Sequence, residues 1–237
     1  GQVEGVLANL PQIIGFDPKA DLFESLGDVV CLFADPDQGF LGTGTGLMIK
    51  VDDAEKLKAT IDKLIGMGEQ VSRGQFTVHR SDKHGRQLML FEFGERVQAG
   101  ALAIDDGWLI VGLLPQTVEA ALLRIDGQLD TWQPTDAQTQ AFTTLPKSFT
   151  SITVGDPRVS WHALMKLAPI MMSAGQIALK QERIIPRDTV LPITIADLPP
   201  VELVARPLFP NVTVTTADEN GVQFTSRKSL PGIPIIG

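Results

Sequence analysis

The stretch from Val97 to Gly127 constrains the fold of this chain more than any other. Within it, Asp105-Asp106-Gly107 predicts a tight turn, since glycine supplies the positive φ that a short hairpin loop requires. The flanking segments, Val97 to Ile104 and Trp108 to Leu113, are rich in the β-branched and other apolar residues that favour strands. Pro115 favours the first turn of a helix, where its missing N–H costs no hydrogen bond. The stretch therefore predicts a β-hairpin followed by a helix.

The same order of elements is predicted near the start of the sequence. Asp28 to Ala34 is apolar on both faces, which predicts a central and buried strand. Thr43 to Val51 predicts the next strand, and Asp52 is expected to cap a helix that ends near Ile65. Hairpins with interleaved helices indicate an α+β fold, with antiparallel sheets built of hairpins and helices packed on one face. The recurrence suggests an internal duplication of strand–strand–helix units.

A polar region interrupted by Gly and Pro separates two halves. We expect a first α+β half over residues 1–130 and a second over residues 131–237, as two domains or as one continuous domain. In the second half, Asp156 is expected to cap a helix that reaches Met172 and is kinked at Pro169. Six prolines between residues 186 and 210 exclude a regular helix or a central strand there. Within that proline-rich segment, Val201 to Ala205 is the strand candidate.

Composition limits the partners. The net charge is −8 and the pI is near 4.9, so an acidic surface repels phosphate backbones and we expect no nucleic-acid partner. No apolar run approaches the roughly 20 residues that span a bilayer, so we expect no membrane span. The single cysteine, Cys31, excludes an intramolecular disulfide. Because Cys31 lies in a strand predicted to be buried, we expect it to be an unreactive thiol.

The residues that could carry chemistry do not form a recognisable catalytic pattern. Gly42 to Gly46 precedes a strand rather than a helix and lacks the GK[ST] of a phosphate loop, so it indicates close backbone contact. His79 and His84 are predicted on polar surfaces, and His162 is expected to be packed or half-exposed in a helix. We therefore predict no catalytic residue, cofactor site or metal site. A chelator is accordingly expected to leave the melting temperature unchanged.

Several short segments resemble a group of uncharacterised, exported bacterial proteins that carry a domain of unknown function. They are Gly15 to Pro18, Leu22 to Asp28, Ala103 to Gly112, Leu145-Pro146 and Gly221 to Pro231. The resemblance implies export to the periplasm or cell envelope and a repeated α+β architecture. It brings no catalytic residues.

The function predicted from these features is that of an extracytoplasmic, non-enzymatic binding or scaffold module, whose partner is a protein or an apolar ligand. Two alternatives stay open: a carrier of an apolar or lipid-like ligand, and an uncharacterised hydrolase. The predicted binding surface is the set of apolar residues in and beside the proline-rich segment: Ile184, Ile185, Val190, Leu191, Ile193, Ile195 and Leu198. The competing interpretation is that these residues cover a sheet edge and complete the core.

Overall fold

A computed structural model describes residues 15–35, 38, 42–94, 97–182, 184, 186, 195–219 and 221–229. The chain forms two compact units, Gly1–Thr131 and Trp132–Gly237. A helix that the sequence predicts over residues 2–10 lies outside the described residues.

The first unit contains a six-stranded sheet in which every neighbouring pair is antiparallel. Its strands are β1 Leu26–Ala34, β2 Thr45–Val51, β3 Phe76–Lys83, β4 Arg86–Phe93, β5 Val97–Asp105 and β6 Trp108–Gly112. The order across the sheet is β1-β2-β6-β5-β4-β3. The predicted α+β class with hairpin-built antiparallel sheets is confirmed. The β5–β6 turn has Asp106 at φ 47° and Gly107 at φ 74°, as a tight hairpin of this type requires.

Among the described residues of the first unit, the α-helices α1 Ala54–Val71 and α2 Pro115–Ile125 cover opposite faces of the sheet, and a π-helix, Pro18–Leu22, and a 3-10 helix, Phe23–Ser25, precede β1. On one face, α1 packs its buried Leu57 against Leu102 of β5. On the other face, α2 packs Val118 against Ala103 of the same strand. The expectation that helices occupy one face therefore does not hold in this unit. Residues 101–104 are apolar at every position, so both faces of β5 need cover.

The boundaries of α1 differ from the prediction. Asp53, not Asp52, caps the helix, and its side chain accepts the N–H of Lys56 at 3.0 Å. The helix continues past Ile65 to Val71. It stops where Arg73 adopts φ 52°, a left-handed conformation that cannot continue the helix.

Strand β1 is the strand that the sequence places wrongly. It lies at the edge of the sheet, beside β2 only, and Val29, Val30 and Leu32 are exposed. The prediction of a central, buried strand is therefore wrong. An apolar strand at an edge and an apolar strand between two helices have the same composition, so the local sequence does not distinguish them.

The second unit contains a three-stranded antiparallel sheet in the order β7-β8-β9. The strands are β7 Ser151–Gly155, β8 Asn211–Asp218 and β9 Gly221–Arg227, and the helices are α3 Asp136–Phe142, α4 Pro157–Gln181 and α5 Val201–Ala205, with a 3-10 turn at Ile195–Asp197. Val212 and Val214 of β8 are fully buried, and α3 contacts β8. The core of this unit therefore lies on the α3 side of the central strand.

Two predictions for the second unit are wrong. Helix α4 ends at Gln181, nine residues beyond the predicted Met172. Val201–Ala205 is a helix rather than a strand. Pro200 adopts an extended conformation at its N-cap position, and its carbonyl accepts the N–H of Leu203 at 3.0 Å. Prolines precede helices as well as extended segments, so the local pattern does not decide between the two.

Candidate functional site

The most distinctive surface of the second unit is one side of α4. None of the 25 residues of this helix is buried. Five large apolar side chains on it are between 40% and 66% exposed, namely Val159, Leu164, Ile170, Met171 and Ile177. At 100° per residue, these five fall within an arc of about 140°. We call this arc the α4 apolar face.

Local interactions explain why α4 forms. Asp156 is the N-cap, and its carboxylate accepts the N–H of Arg158 at 3.0 Å. Pro157 occupies the first helical position, as the sequence predicts. The Arg158 side chain also donates to Asp156, with Nε–Oδ1 at 2.8 Å, and this hydrogen bond lowers the pKa of Asp156 below its ordinary value. The N-terminus of the helix is therefore held by both backbone and side-chain bonds.

A groove of about 200 Å³ lies beside the α4 apolar face. It is lined by Met165, Lys166 and Pro169 of α4, and by Leu198, Pro199 and Val201. The lining is apolar except for the lysine. Helix α4 also contacts α5 and the 3-10 turn before it, so the groove lies along the junction of these elements.

The structure places the predicted binding surface only in part. Leu198 lines the groove, and Ile184 is exposed beyond the end of α4. Ile195 begins the 3-10 turn. Ile185, Val190, Leu191 and Ile193 lie outside the described residues. Of the residues in the predicted binding surface, Leu198 is therefore the one that lines a groove together with residues of α4.

The α4 apolar face was missed in the sequence. The sequence does not single it out, because apolar residues at helical spacing usually pack inward. A signal was nevertheless present: apolar residues cover about two-thirds of the circumference of α4, which is more than one packed face can bury. A helix of that composition either lies in the centre of a large core or keeps part of its apolar surface exposed.

A second cluster surrounds Arg86 in the first unit. Its guanidinium forms ion pairs with Asp105, Asp106 and Asp126, and the Arg86 side chain is only 16% exposed. Burial lowers the pKa of Arg86, but the hydrogen bond to Asp106 and the three negative charges outweigh this effect and raise it. The cluster joins the β3–β4 hairpin, the β5–β6 turn and the end of α2. The sequence predicts that Asp105 and Asp106 serve the turn, and it gave no sign of this shared arginine.

The three histidines occupy separate places. His79 Nε2 lies 3.3 Å from Glu92 Oε2, and His84 Nε2 lies 2.8 Å from Glu119 Oε1. Both are on the surface of the first unit, where the sequence places them. His162 is half-buried in α4. In the described part of the chain, no three or more His, Cys, Asp or Glu side chains are placed to hold a metal ion.

Cys31 is exposed, so the prediction that it is buried is wrong. The error follows from the edge position of β1. The neighbouring glycine-rich segment leads into β2, and Gly46 pairs with Phe33 of β1. A Cβ atom on Gly46 would collide with Phe33 Cζ, so the aromatic ring occupies the space of the missing side chain. This contact is the close approach that the sequence predicts for the segment.

The sequence was also compared with known proteins. No family model matches the chain, and no curated protein matches it. Among the described residues, no helix is both long enough and apolar enough to cross a membrane.

Proposed function

We propose that this protein is an extracytoplasmic, non-enzymatic binding or scaffold module, and that it binds its partner through the α4 apolar face. One observation carries the proposal: five large apolar side chains are exposed together on one helix. Scattered exposed apolar residues are normal on protein surfaces, whereas a contiguous patch is typical of a binding site. Each such side chain is already about half-buried, so full burial stands to gain roughly 0.6–2 kcal/mol, and covering the face favours association.

The extracytoplasmic location is supported by the resemblance to exported bacterial proteins. The segments that carry it have structural roles: Asp17 accepts the N–H of Lys19 at 2.9 Å at the start of a helical turn, and Ala103 to Gly112 forms the central β5–β6 hairpin. They support membership of that group through the architecture and do not identify the partner.

The proposal can be tested by photo-cross-linking in the cells that produce the protein. A photoreactive residue would replace Ile170 in the α4 apolar face or, as a matched control, the exposed Lys63 of α1. We expect adducts at position 170 and none at position 63, because only the first position is expected to lie against a partner. The absence of adducts at position 170, or equal labelling at both positions, would contradict the proposed function.

The groove beside α4 supports a second candidate, the carrier of an apolar ligand. Its volume of about 200 Å³ is below the roughly 300–1,000 Å³ of drug-sized sites, which favours a short or partly bound chain. Titration with a fluorescent fatty acid tests this function. Saturable binding that Met165→Trp removes by filling the groove would support it, and unchanged binding by that variant would contradict it.

The hydrolase alternative has no comparable support. Among the described residues, no ion pair or hydrogen bond joins His162 to a carboxylate. His79 and His84 each pair with a single surface glutamate. Neither arrangement includes a nucleophile within reach of a base, which is the geometry that hydrolysis requires.

A further inference from the structure

The charge of α4 differs from that of the chain as a whole. The chain has net charge −8, yet Pro157–Gln181 contains Arg158, Lys166 and Lys180 and no Asp or Glu. The contrast extends to the two units. Residues 1–131 contain eleven basic and twenty acidic residues, whereas residues 132–237 contain nine basic and eight acidic ones. The exposed apolar face therefore lies on a cationic helix in the less acidic unit.

The lysines lie beside the α4 apolar face rather than opposite it. On a helical projection, Lys166 is about 20° and Lys180 about 60° from one edge of the apolar arc. Arg158 is paired with Asp156 at its N-cap. No ion pair joins Lys166 or Lys180 to another described residue. Two unpaired ammonium groups thus border an exposed apolar surface.

We propose that α4 lies along the surface of a membrane that contains anionic lipids. Its apolar face enters the boundary between headgroups and acyl chains, and Lys166 and Lys180 contact the lipid phosphates. This arrangement of apolar and cationic faces is typical of helices that lie in the plane of the interface. The inference rests on the proposed function and names the partner class for the same surface.

Charge complementarity favours lipid over a second copy of the chain. If two α4 helices packed face to face, the lysines of one copy would meet a helix with carboxylates only at its two ends, Asp156, which is already paired with Arg158, and Glu182. An anionic lipid surface supplies a negative group for each lysine without a fixed register. Attraction of this kind changes binding by about five-fold for each lysine near the surface.

The test measures partition of the whole chain onto large unilamellar vesicles by flotation. The vesicles are pure phosphatidylcholine or an equimolar mixture of phosphatidylcholine and phosphatidylglycerol. The variants are Ile170→Glu/Ile177→Glu in the apolar face and Lys166→Gln/Lys180→Gln beside it. Val71→Glu is the matched control, because Val71 is an exposed apolar residue at the end of another helix, α1. Circular dichroism checks that each variant is folded.

We expect the wild-type chain to partition at least ten-fold more strongly onto anionic than onto neutral vesicles at 50 mM NaCl. The double glutamate variant should lose at least ten-fold, and Val71→Glu should bind as the wild type does. The lysine variant should lose about twenty-five-fold on anionic vesicles and little on neutral ones. Raising NaCl to 500 mM should reduce wild-type binding toward that of the lysine variant, since salt screens the attraction.

Several results would overturn the membrane proposal. They are equal binding to both vesicle types, unchanged binding by the double glutamate variant, and no binding at all. A dimer in sedimentation equilibrium that Ile170→Glu/Ile177→Glu dissociates, without vesicle binding, would assign the face to a second copy. Cross-links from position 170 to a protein, without vesicle binding, would also overturn the membrane proposal while the binding-module function stands. Absence of both cross-links and vesicle binding would overturn the two together.

Discussion

Replacement of Arg86 by methionine is expected to destabilise the first unit by about 2 kcal/mol. Methionine keeps much of the length and apolar stem of the side chain but removes the charge that Asp105, Asp106 and Asp126 share. Breaking a buried ion pair costs roughly 3–5 kcal/mol, whereas an exposed pair contributes roughly 0.2–1 kcal/mol. The Arg86 side chain is 16% exposed and the three carboxylates are 23% to 56% exposed. Water can therefore solvate the carboxylates in part, which places the cost between those limits.

The assay is urea unfolding followed by the fluorescence of Trp108, which lies in β6 with Lys50 over its ring. Trp132→Phe/Trp161→Phe in the background makes Trp108 the only tryptophan, so the signal reports the first unit. The matched control is Arg80→Met. Arg80 pairs with one aspartate, Asp62, at 2.6 Å, and both side chains are well exposed.

The control should cost less than about 1 kcal/mol, because it breaks one solvated pair. Adding Asp105→Asn and Asp126→Asn to Arg86→Met should recover about half of the loss, since two unpaired charges are then neutral. High salt should reduce the effect of Arg86→Met by screening the repulsion among the carboxylates. An Arg86→Met variant that is no more destabilised than Arg80→Met would contradict this explanation. It would show that the ion pairs of Arg86 do not stabilise the contacts between the two hairpins and α2.

Three further predictions follow from single positions. Cys31 should react within seconds with an aromatic disulfide reagent in the native protein, and a slow reaction that requires unfolding would contradict its edge position. Asp156→Asn should cost about 0.5–1 kcal/mol at pH 7 by urea unfolding, because asparagine still caps the helix but loses the charge that pairs with Arg158. Arg158 lowers the pKa of Asp156 in the folded state below its ordinary value of 3.8. The stabilisation by the charged carboxylate is therefore present above pH 3.8 and is lost as the pH falls through the lowered pKa. The difference in unfolding free energy between the variant and the wild type should accordingly shrink near pH 3. In thermal melts, Gly46→Ala should destabilise the protein by about 1–3 kcal/mol, because the added methyl group overpacks against the facing aromatic ring. The control Gly66→Ala has open space within α1, so it should be neutral or stabilise the protein by up to about 1 kcal/mol. Equal effects of the two substitutions would refute the packing explanation.

The parts of the fold that the sequence predicts well are those fixed by local chemistry. The β5–β6 turn is set by Asp106 and Gly107, whose positive φ values need no information from distant residues. The start of α4 is likewise set by the Asp156 cap and the following proline. Hairpins follow from such turns, and antiparallel sheets follow from hairpins. The α+β class was therefore predictable from turns and caps alone.

The errors occur where an element's environment, rather than its own residues, decides the outcome. Val30 and Cys31 lie on an edge strand, but the order of strands in a sheet depends on how distant hairpins pair. Val201–Ala205 is short and follows prolines, so its helical state depends on contacts with α4 that the local pattern does not contain. Residue composition specifies that an element is apolar and leaves open what covers it.

This limit applies most strongly to the candidate site. The two helices of the first unit present buried stripes to a sheet, with Leu57 and Val118 fully enclosed. Helix α4 is longer than either and comparably apolar in sequence, yet none of its residues is buried. If α4 were simply a core helix, its apolar residues would be expected to lie under a sheet as those of α1 and α2 do. Their exposure supports the proposed binding surface, as do two neighbouring lysines that form no ion pair with another described residue, and this exposure distinguishes the second unit from the first.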